Sequence, residues 1–255
     1  MTMLAGKRAL VTGGGGAIGR ASCLAMAREG AAVAVADIAG PAAEETAQLV
    51  RAQGGHAVAI TVDVREEAEV ARAVPAAAEA LGGLDTVFSN AGIMPHQDGS
   101  ATDADLDLWR TIHAVNVHGT VLCVKYAVPH LERAGGGAIV TMSSFLAVLG
   151  ATSPQDAYAA SKGAIWSLTR SLAVQLGSKS IRVNGLAPGP VMTPHVAQFF
   201  PDPAARQRRL DRIPLGRFGT PEDAASLACF LASDRASWLT GQVIVLDGGI
   251  SCHYL

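Results

Sequence analysis

The sequence predicts an α/β fold in which a parallel sheet of about seven strands carries helices on both faces. Short apolar runs rich in β-branched residues alternate along the chain with alanine-rich amphipathic stretches. The runs are apolar almost throughout, as expected of strands that are buried on both faces. Right-handed crossovers would wind these elements into a doubly wound, Rossmann-like layer structure. Because no linker rich in Pro, Gly or Ser divides the chain, we expect a single domain over residues 1–255.

The expected elements follow one another regularly. The strand runs are Arg8–Thr12, Ala32–Ala36, Ala57–Val62, Thr86–Ser89, Ala138–Met142, Ile181–Leu186 and Gln242–Leu246. Between them, helical periodicity is expected near residues 18–29, 41–53, 66–81, 103–131, 156–177 and 221–232. The stretch 190–216 is rich in Pro, Phe and Arg and fits neither pattern. An irregular insertion at the carboxyl end of a strand is where an α/β enzyme places a substrate loop, and we expect one here.

Composition excludes several classes of function. Apolar residues make up 49% of the chain and charged residues 16%, enough for a large buried core. The net charge of −2 gives no electrostatic footprint for nucleic acid or an anionic membrane. The four cysteines form no CxxC or Cys/His cluster, so we expect neither a metal site nor disulfides. The N-terminal apolar stretch is too short and too broken by glycine for a signal peptide or a membrane span, so a cytoplasmic protein is expected.

A glycine-rich turn joins the first strand to the first helix. Residues 13–19 read GGGGAIG, and Gly14, Gly16 and Gly19 satisfy GxGxxG. Bare backbone N–H groups at a helix N-terminus bind phosphate, and side chains there would block its approach. Because the motif lies between a strand and a helix, it predicts a bound dinucleotide.

Asp37 ends the second strand, 18 positions after Gly19. A carboxylate at this point accepts hydrogen bonds from the ribose hydroxyls of NAD and repels the 2′-phosphate of NADP. No Lys or Arg stands at residues 14–16 or at Ile38 to favour that phosphate. We therefore predict NAD as the cofactor, while a strand-end aspartate that caps the next turn is the simpler alternative.

Tyr158 and Lys162 stand four residues apart in YAASK, early in a predicted helix, and so share one helix face. An adjacent cation stabilises a phenolate and lowers the pKa of tyrosine from about 10. Tyr158 would then take the proton from an alcohol as hydride leaves, or return it in reduction. Ser144, 14 positions upstream, is placed to hold the substrate oxygen against Tyr158, and Ser143 is a second candidate for that role.

In their order along the chain, these motifs resemble those of the short-chain dehydrogenase/reductase family, in its form of about 250 residues. The resemblance covers nearly the whole chain. The matching segments are TGGGGAIG at 12–19, Asp37, Asp63, SNAG at 89–92, Asn116, Ser143-Ser144, YAASK at 158–162, APGPVMT at 187–193 and LDGG at 246–249.

Three departures are Ala17 in place of the middle glycine, Ser89 in place of the first Asn of NNAG, and one extra residue before Tyr158. We expect cofactor binding to tolerate Ala17, Ser89 to cost one structural hydrogen bond, and the loop at 150–156 to absorb the extra residue.

The resemblance implies a role for each matched residue. Asn116 would hold a water that links Lys162 to solvent, Ser144 would orient the substrate oxygen, and Lys162 would bind the nicotinamide ribose and lower the phenol pKa. With Tyr158 as the acid/base, these four form the expected catalytic set. The residues expected along the dinucleotide are Gly13, Gly16, Ile18, Gly19, Asp37, Ile38, Asp63, Val64, Asn90, Ala91, Gly92, Tyr158, Lys162, Pro188, Gly189, Val191 and Thr193. The family also implies a homotetramer, with the helices that carry Asn116 and Tyr158 at a dimer interface.

Two apolar segments are expected to face the substrate, one directly after Ser144 and one in the insertion, which includes Phe200. They favour a moderately large apolar alcohol, such as a cyclic or aryl alcohol, a steroid-like ring or an acyl chain. Substrate contacts are expected from His96, Phe145, Leu146, His195 and Phe199. The arginines at 206, 208, 209 and 212 would either receive the phosphate of an acyl carrier or coenzyme A, or form a solvated helix face.

The sequence thus predicts an enzyme, an NAD(H)-dependent oxidoreductase that interconverts a secondary alcohol and a ketone. A 3-oxoacyl-thioester reductase is the first alternative, and it would prefer NADPH and use the arginine cluster. A non-catalytic dinucleotide sensor is the second, although such a protein would have lost members of the Asn/Ser/Tyr/Lys set. An enoyl reductase would need a wider Tyr–Lys spacing. The physiological substrate and the direction of the reaction stay open.

Overall fold

The computed structural model describes residues 2–151, 153–199 and 202–252. Over these residues seven parallel strands form one sheet in the order β3-β2-β1-β4-β5-β6-β7. The strands are β1 Arg8–Thr12, β2 Ala32–Asp37, β3 Ala57–Thr61, β4 Thr86–Ser89, β5 Gly137–Met142, β6 Ile181–Pro188 and β7 Val243–Leu246. The order reverses direction between β1 and β4, as in a doubly wound Rossmann-like sheet. The predicted fold class is confirmed.

Helices alternate with the strands. They are α1 Ala17–Arg28, α2 Gly40–Ala52, α3 Glu67–Ala80, α4 Leu106–His113, α5 Gly119–Arg133, α6 Asp156–Leu176, α7 Pro194–Ala197, α8 Pro203–Leu210 and α9 Pro221–Ala232. The strands and most of these helices begin and end within two residues of their predicted bounds. None of the helices in the described ranges is long and apolar enough to cross a membrane.

The prediction of a single helix over 103–131 is wrong in two respects. The observed helix begins at Leu106, because the Asp105 carboxylate accepts the N–H groups of Asp107 and Leu108 and so caps the helix there. A π turn at Ala114–His118 then separates α4 from α5. The insertion at 190–216 is also less irregular than expected, since it contains α7 and α8.

Side chains of the central strands alternate between two buried cores. Leu10 and Val87 pack with α3, α5 and α6 on one face of the sheet. Val11 and Phe88 pack with α1, α2 and α9 on the other. Because both faces are covered, these strands are apolar along their whole length, which explains the pattern in the sequence.

The loops that follow β1, β4, β5 and β6 lie at the same edge of the sheet, because parallel strands all end there. The glycine-rich turn follows β1, Asn90–Gly92 follows β4, Ser143 and Ser144 follow β5, and Gly189 follows β6. The topology therefore brings segments far apart in sequence into one site. Phe200, one of the apolar residues predicted near the substrate, lies outside the described residues.

Candidate active site

A cavity of about 1170 Å³ opens along this edge. Sites for drug-sized ligands commonly measure about 300–1,000 Å³, so this cavity can hold a dinucleotide and a small substrate together. Every residue expected along the dinucleotide lines it, as do Ser144, Phe145, Leu146, His195 and Phe199. Of the described residues predicted for the site, Asn116 and His96 do not line the cavity and lie behind its wall.

The glycine-rich turn is built for close backbone approach. Gly13 has a φ of +64°, in the left-handed region that glycine adopts without strain. A Cβ at Gly19 would stand 2.0 Å from the Gly13 carbonyl oxygen, so no side chain fits there. Asn90 braces the turn from β4, since its Nδ2 donates to the carbonyl oxygens of Thr12 at 2.9 Å and Gly13 at 3.2 Å. The turn therefore presents a rigid surface of backbone to the cavity.

Asp37 both caps a turn and faces the cavity. Its Oδ2 accepts the Gly15 N–H at 2.9 Å, and its Oδ1 accepts the Ala39 N–H at 2.9 Å. Each carboxylate oxygen has a second lone-pair site, so the group can also accept hydrogen bonds from a ligand. The simpler interpretation of Asp37 as a turn cap and the cofactor interpretation are thus compatible.

Arg65 also lines this end of the cavity, although no motif in the sequence points to it. Its guanidinium pairs with the Asp63 carboxylate, with Nη2 and Oδ2 2.5 Å apart. This hydrogen bond from Arg65 holds the pKa of Asp63 below its usual value. The Arg65 guanidinium is therefore already paired with the Asp63 carboxylate.

Tyr158 and Ser144 meet at the floor of the cavity. Both side chains line the cavity, and burial raises the pKa of the Tyr158 phenol while the Ser144 hydroxyl acts to lower it. The Lys162 ammonium lies 5.5 Å from the centroid of the Tyr158 ring. Ser143 does not share this contact, because its hydroxyl donates to the Lys162 carbonyl oxygen at 2.9 Å. The geometry thus distinguishes the two serines that the sequence left open.

Lys162 is a buried cation, with 3% of its surface exposed. Its Nζ donates to the Met142 carbonyl oxygen at 2.9 Å, at the end of β5. Burial lowers the pKa of the ammonium to about 8, because a charge in a poorly solvated site is disfavoured.

Asn116 lies in the π turn, a type of helix defect that is frequent at functional sites. Its Oδ1 accepts the Ile93 N–H at 2.8 Å, while its Nδ2 donates to the Ile93 carbonyl at 3.1 Å and to Ser161 Oγ at 2.9 Å. A Cβ added at Gly92 would lie 3.2 Å from Lys162 Nζ and 3.3 Å from Asn116 Oδ1. The absence of a side chain at Gly92 thus leaves room for the Asn116 amide and the Lys162 ammonium on the same side of that residue.

Asp98 caps the helix that carries Tyr158. Its Oδ1 accepts the Ala157 N–H at 3.2 Å and its Oδ2 accepts the Tyr158 N–H at 2.8 Å. The Asp156 carboxylate accepts the Ala101 N–H at 2.9 Å in return. Nothing in the local sequence signals this contact, because Asp98 stands about sixty residues before α6.

The insertion closes one side of the cavity through aromatic and polar contacts with the loop after β4. His195 Nε2 lies 2.8 Å from the Met94 carbonyl oxygen, and His96 Nε2 lies 3.2 Å from Gln198 Oε1. The His96 ring stacks on Phe199 with centroids 3.9 Å apart. His96 therefore supports Phe199, which does line the cavity, from behind.

Comparison with known proteins decides the family. The family model described as enoyl-(acyl carrier protein) reductase, of the short-chain alcohol dehydrogenase type, matches residues 15–251. The cis-4-hydroxycyclohexanecarboxylate dehydrogenase of Sinomonas cyclohexanicum is 38% identical over 241 residues, which cover 94% of this chain and 95% of that enzyme. The chain belongs to the short-chain dehydrogenase/reductase family.

Two further members are similar to this short-chain dehydrogenase/reductase over most of their length. The 2-(S)-hydroxypropyl-CoM dehydrogenase 3 of Xanthobacter autotrophicus is 38% identical over 245 residues, 94% of this chain and 95% of that enzyme. A 7α-hydroxysteroid dehydrogenase, solved with NADH and 7-oxo glycochenodeoxycholic acid, superposes with a TM-score of 0.92 at 34% identity. That match covers 97% of this chain and 95% of the solved one. The relatives named here are dehydrogenases of hydroxy compounds.

Of the three departures from the family motifs, the structure bears most directly on Ser89. The buried Ser89 hydroxyl donates to Thr120 Oγ1 at 3.1 Å, and the loss of one structural hydrogen bond relative to asparagine stays a prediction. Ala17 is the first residue of α1 and lines the cavity.

The arginine cluster of this short-chain dehydrogenase/reductase is divided between the surface and the cavity. Arg206 lies over the Phe218 ring, 5.7 Å from its centroid, and Arg208 pairs with Asp202 at 3.9 Å. Arg209 and Arg212 line the cavity. Arg209 is half-buried near the end of α8 and Arg212, which follows that helix, is exposed, so both alternatives for the cluster stay predictions.

Proposed function

We propose that the protein is an NAD(H)-dependent oxidoreductase that interconverts a secondary alcohol and a ketone by hydride transfer, with Tyr158 as the acid/base. The meeting of Tyr158, Ser144 and Lys162 in one cavity, with the Lys162 ammonium 5.5 Å from the centroid of the phenol ring, carries this proposal. The names of the similar enzymes, all dehydrogenases of hydroxy compounds, support the reaction class.

The cavity fits the dinucleotide that the family implies. The surface around Gly13 and Gly19 has no room for side chains, and Asp37 faces the cavity with free acceptor capacity. When bound, the nicotinamide would accept the hydride from the alcohol carbon, or return it to a ketone. Lys162 and Tyr158 would hold its ribose, and Pro188, Gly189, Val191 and Thr193 would hold its nicotinamide end.

Each side chain of the site would have its own role in the proton transfer. Ser144 would hold the substrate oxygen, and the Tyr158 phenolate would take the hydroxyl proton from it. The Lys162 ammonium would stabilise that phenolate against the burial that disfavours it. Asn116, bound to Ile93 and set against Gly92, would hold a water through which Lys162 exchanges protons with solvent.

We propose NAD rather than NADP because Asp37 would repel a 2′-phosphate at its end of the cavity. Arg65 is engaged by Asp63 and so gives that phosphate little compensation. This cofactor preference also disfavours an NADPH-dependent 3-oxoacyl-thioester reductase. The Tyr158–Lys162 spacing of four likewise favours carbonyl over enoyl reduction.

We further propose that the chain is one dinucleotide-binding domain whose 190–216 segment is the substrate loop, and that it acts in the cytoplasm as a homotetramer. Exposed apolar side chains on the helices implied at a dimer interface support the assembly, with Val121 on α5 and Val174 on α6 exposed by 43% and 85%. Sedimentation equilibrium would test it, and a monomer would refute it.

The experiment is absorbance at the reduced-nicotinamide band with NAD or NADP and a panel of secondary alcohols, and with NADH or NADPH and ketones. We expect turnover with NAD that disappears in Tyr158→Phe and persists in Tyr126→Phe, a matched change at a half-buried tyrosine of α5 that does not line the cavity. Turnover by Tyr158→Phe at the wild-type rate would refute the mechanism. Bound NADH without turnover across alcohols, ketones and acyl thioesters would favour the sensor.

A further inference from the structure

Ser161 carries a buried hydroxyl between Tyr158 and Lys162 that the proposed mechanism does not use. The residue lies in α6, three positions after Tyr158, and none of its surface is exposed. Burying a hydroxyl costs free energy unless the group is hydrogen-bonded, so alanine would suit this helical position better if the hydroxyl had no partners. The Ser161 hydroxyl has two partners, and both belong to the expected catalytic set.

The two hydrogen bonds of Ser161 have a fixed direction. Its Oγ donates to the Tyr158 carbonyl oxygen at 2.7 Å, and Asn116 Nδ2 donates to that Oγ at 2.9 Å. A serine hydroxyl has a single hydrogen, so a hydroxyl that donates to the carbonyl can only accept from the amide. The second hydrogen of Nδ2 goes to the Ile93 carbonyl oxygen at 3.1 Å. Both donors of the Asn116 amide are therefore occupied, and its remaining capacity is a lone pair on Oδ1.

The Asn116 Oδ1 atom borders the same space as the Lys162 ammonium. A Cβ added at Gly92 would lie 3.3 Å from Oδ1 and 3.2 Å from Lys162 Nζ. Nζ gives one hydrogen to the Met142 carbonyl oxygen and has others to donate. A water in this space would accept from the ammonium and donate to Oδ1. The hydrogen bond with Ser161 thus helps the amide to present an acceptor, rather than a second donor, to this space.

Both backbone polar groups of Tyr158 are held by side chains. The N–H donates to Asp98 Oδ2 at 2.8 Å, and the carbonyl oxygen accepts from Ser161. The first contact comes from the loop after β4, and the second leads through Ser161 to Asn116 in the π turn. Ser161 therefore joins the first turn of α6 to the segment that carries the amide.

We propose that Ser161 is a positioning residue for the proton transfer, which holds Tyr158 and Asn116 in one relative position and so keeps the phenol aligned with the place where Lys162 exchanges protons. Ser161 does not line the cavity, so it acts through these residues rather than on the substrate or the dinucleotide. The inference rests on the proposed function, which gives Tyr158 the role of acid/base. A hydroxyl that served helix packing alone would affect stability and leave the chemistry unchanged.

A double-mutant cycle tests the coupling, with Ser161→Ala, Asn116→Ala and both changes together. Thr169→Val is the matched control on the same helix. The Thr169 hydroxyl is also fully buried, donates to the Ile165 carbonyl oxygen at 2.7 Å and lies 2.7 Å from Thr141 Oγ1, but Thr169 does not line the cavity. Thermal melting and NADH fluorescence establish that each variant is folded and binds cofactor, and kcat is measured with the secondary alcohol that the wild type oxidises fastest.

We expect Ser161→Ala to lower kcat by about three- to tenfold, the rate equivalent of one hydrogen bond. In the Asn116→Ala background the same change should lower kcat by less than about twofold, because one of its partners is already lost. Thr169→Val should lower Tm and leave kcat unchanged. An unchanged kcat in Ser161→Ala, an equally large loss in both backgrounds, or a matching loss of kcat in Thr169→Val would each overturn the proposal.

Titration of the Tyr158 phenol gives a readout that needs no turnover. The tyrosinate absorbance of each protein, minus that of the same protein with Tyr158→Phe added, isolates this phenol from the other tyrosines. We expect the phenol pKa to be higher in Ser161→Ala, because the phenolate is then less well placed beside the Lys162 ammonium, and unchanged in Thr169→Val. An unchanged phenol pKa in Ser161→Ala would overturn the proposal.

The two readouts separate this inference from the function on which it rests. A raised phenol pKa in Ser161→Ala, in a protein that oxidises no alcohol and reduces no ketone, would refute the proposed function and support the coupling. Tyr158-dependent turnover with additive losses of kcat in the cycle would leave the proposed function standing and overturn the coupling.

Discussion

The Asp98 carboxylate accepts the backbone N–H of Tyr158 at 2.8 Å and so joins the loop after β4 to the residue proposed as acid/base. The contact fixes the first turn of α6, from which the phenol reaches Ser144. A loop residue thereby fixes the first turn of α6, although it does not belong to that helix.

Replacing Asp98 by alanine should lower both stability and kcat. Loss of a helix cap costs about 1 kcal/mol, which for a chain of this size is a fall in Tm of roughly 2–4 °C. Because Tyr158 shifts while the glycine-rich turn and Asp37 do not, we expect kcat to fall at least several-fold, with a smaller change in KM for NAD. Calorimetry measures the fall in Tm, and steady-state kinetics measures the fall in kcat. Asp103→Ala, in the exposed turn at Ala101–Asp103, is the control. An unchanged kcat would show that the cap is structural only.

Ser144→Ala and Ser143→Ala should separate the roles of the adjacent serines. Ser144 contacts the phenol, so its loss should lower kcat by about 10²-fold or more. Ser143 binds the Lys162 carbonyl, so its loss should lower the melting temperature and reduce kcat less than the loss of Ser144 does. The two variants are compared by kcat and by Tm. A dead Ser143 variant beside an active Ser144 variant would reverse the assignment.

The burial of Lys162 predicts a specific dependence of stability on pH. Its pKa is lowered from 10.5 to about 8 in the folded chain. Between these values the unfolded chain holds a proton that the folded chain has lost, so this group makes the free energy of unfolding rise with pH from about 8 to 10.5. Denaturation of the wild type and of Lys162→Met, without added dinucleotide, measures the difference. We expect the wild type to gain stability relative to the variant over this range, and parallel curves would contradict the lowered pKa.

Asp37→Ser should shift the cofactor preference toward NADP. Removing the carboxylate abolishes its repulsion of a 2′-phosphate and also releases the Gly15 N–H, which should raise KM for NAD. We expect the ratio of kcat/KM for NADP over NAD to rise at least about tenfold. A parallel Asp63→Ser variant frees Arg65 and shows how much of any gain comes from that cation. A ratio unchanged in Asp37→Ser would exclude this residue as the determinant.

Local patterns in the sequence predict the sheet and the glycine-rich turn, because each depends on neighbours within a few positions. Most of the residues that line the cavity were instead implied by the resemblance to the family. The contact of Asp98 with Tyr158 and the division of the arginine cluster could not be predicted in this way. Both depend on how segments distant in sequence meet after folding. The sequence predicts one continuous helix over 103–131 and gives no signal for the π turn at Ala114–His118.

The junction between β5 and α6 is tied in both directions, by Lys162 to the Met142 carbonyl and by Ser143 to the Lys162 carbonyl. Ser144 and Tyr158 therefore belong to one stiff unit, whereas His195 and Phe199 stand on a separate, short-helical segment that touches this unit mainly through side chains. Such an arrangement is modular, because the part of the segment after Thr193 can be exchanged while Tyr158, Ser144 and the residues proposed to hold the nicotinamide end stay in place. Transplanting residues 195–216 between relatives should carry substrate choice with it and leave the chemistry intact.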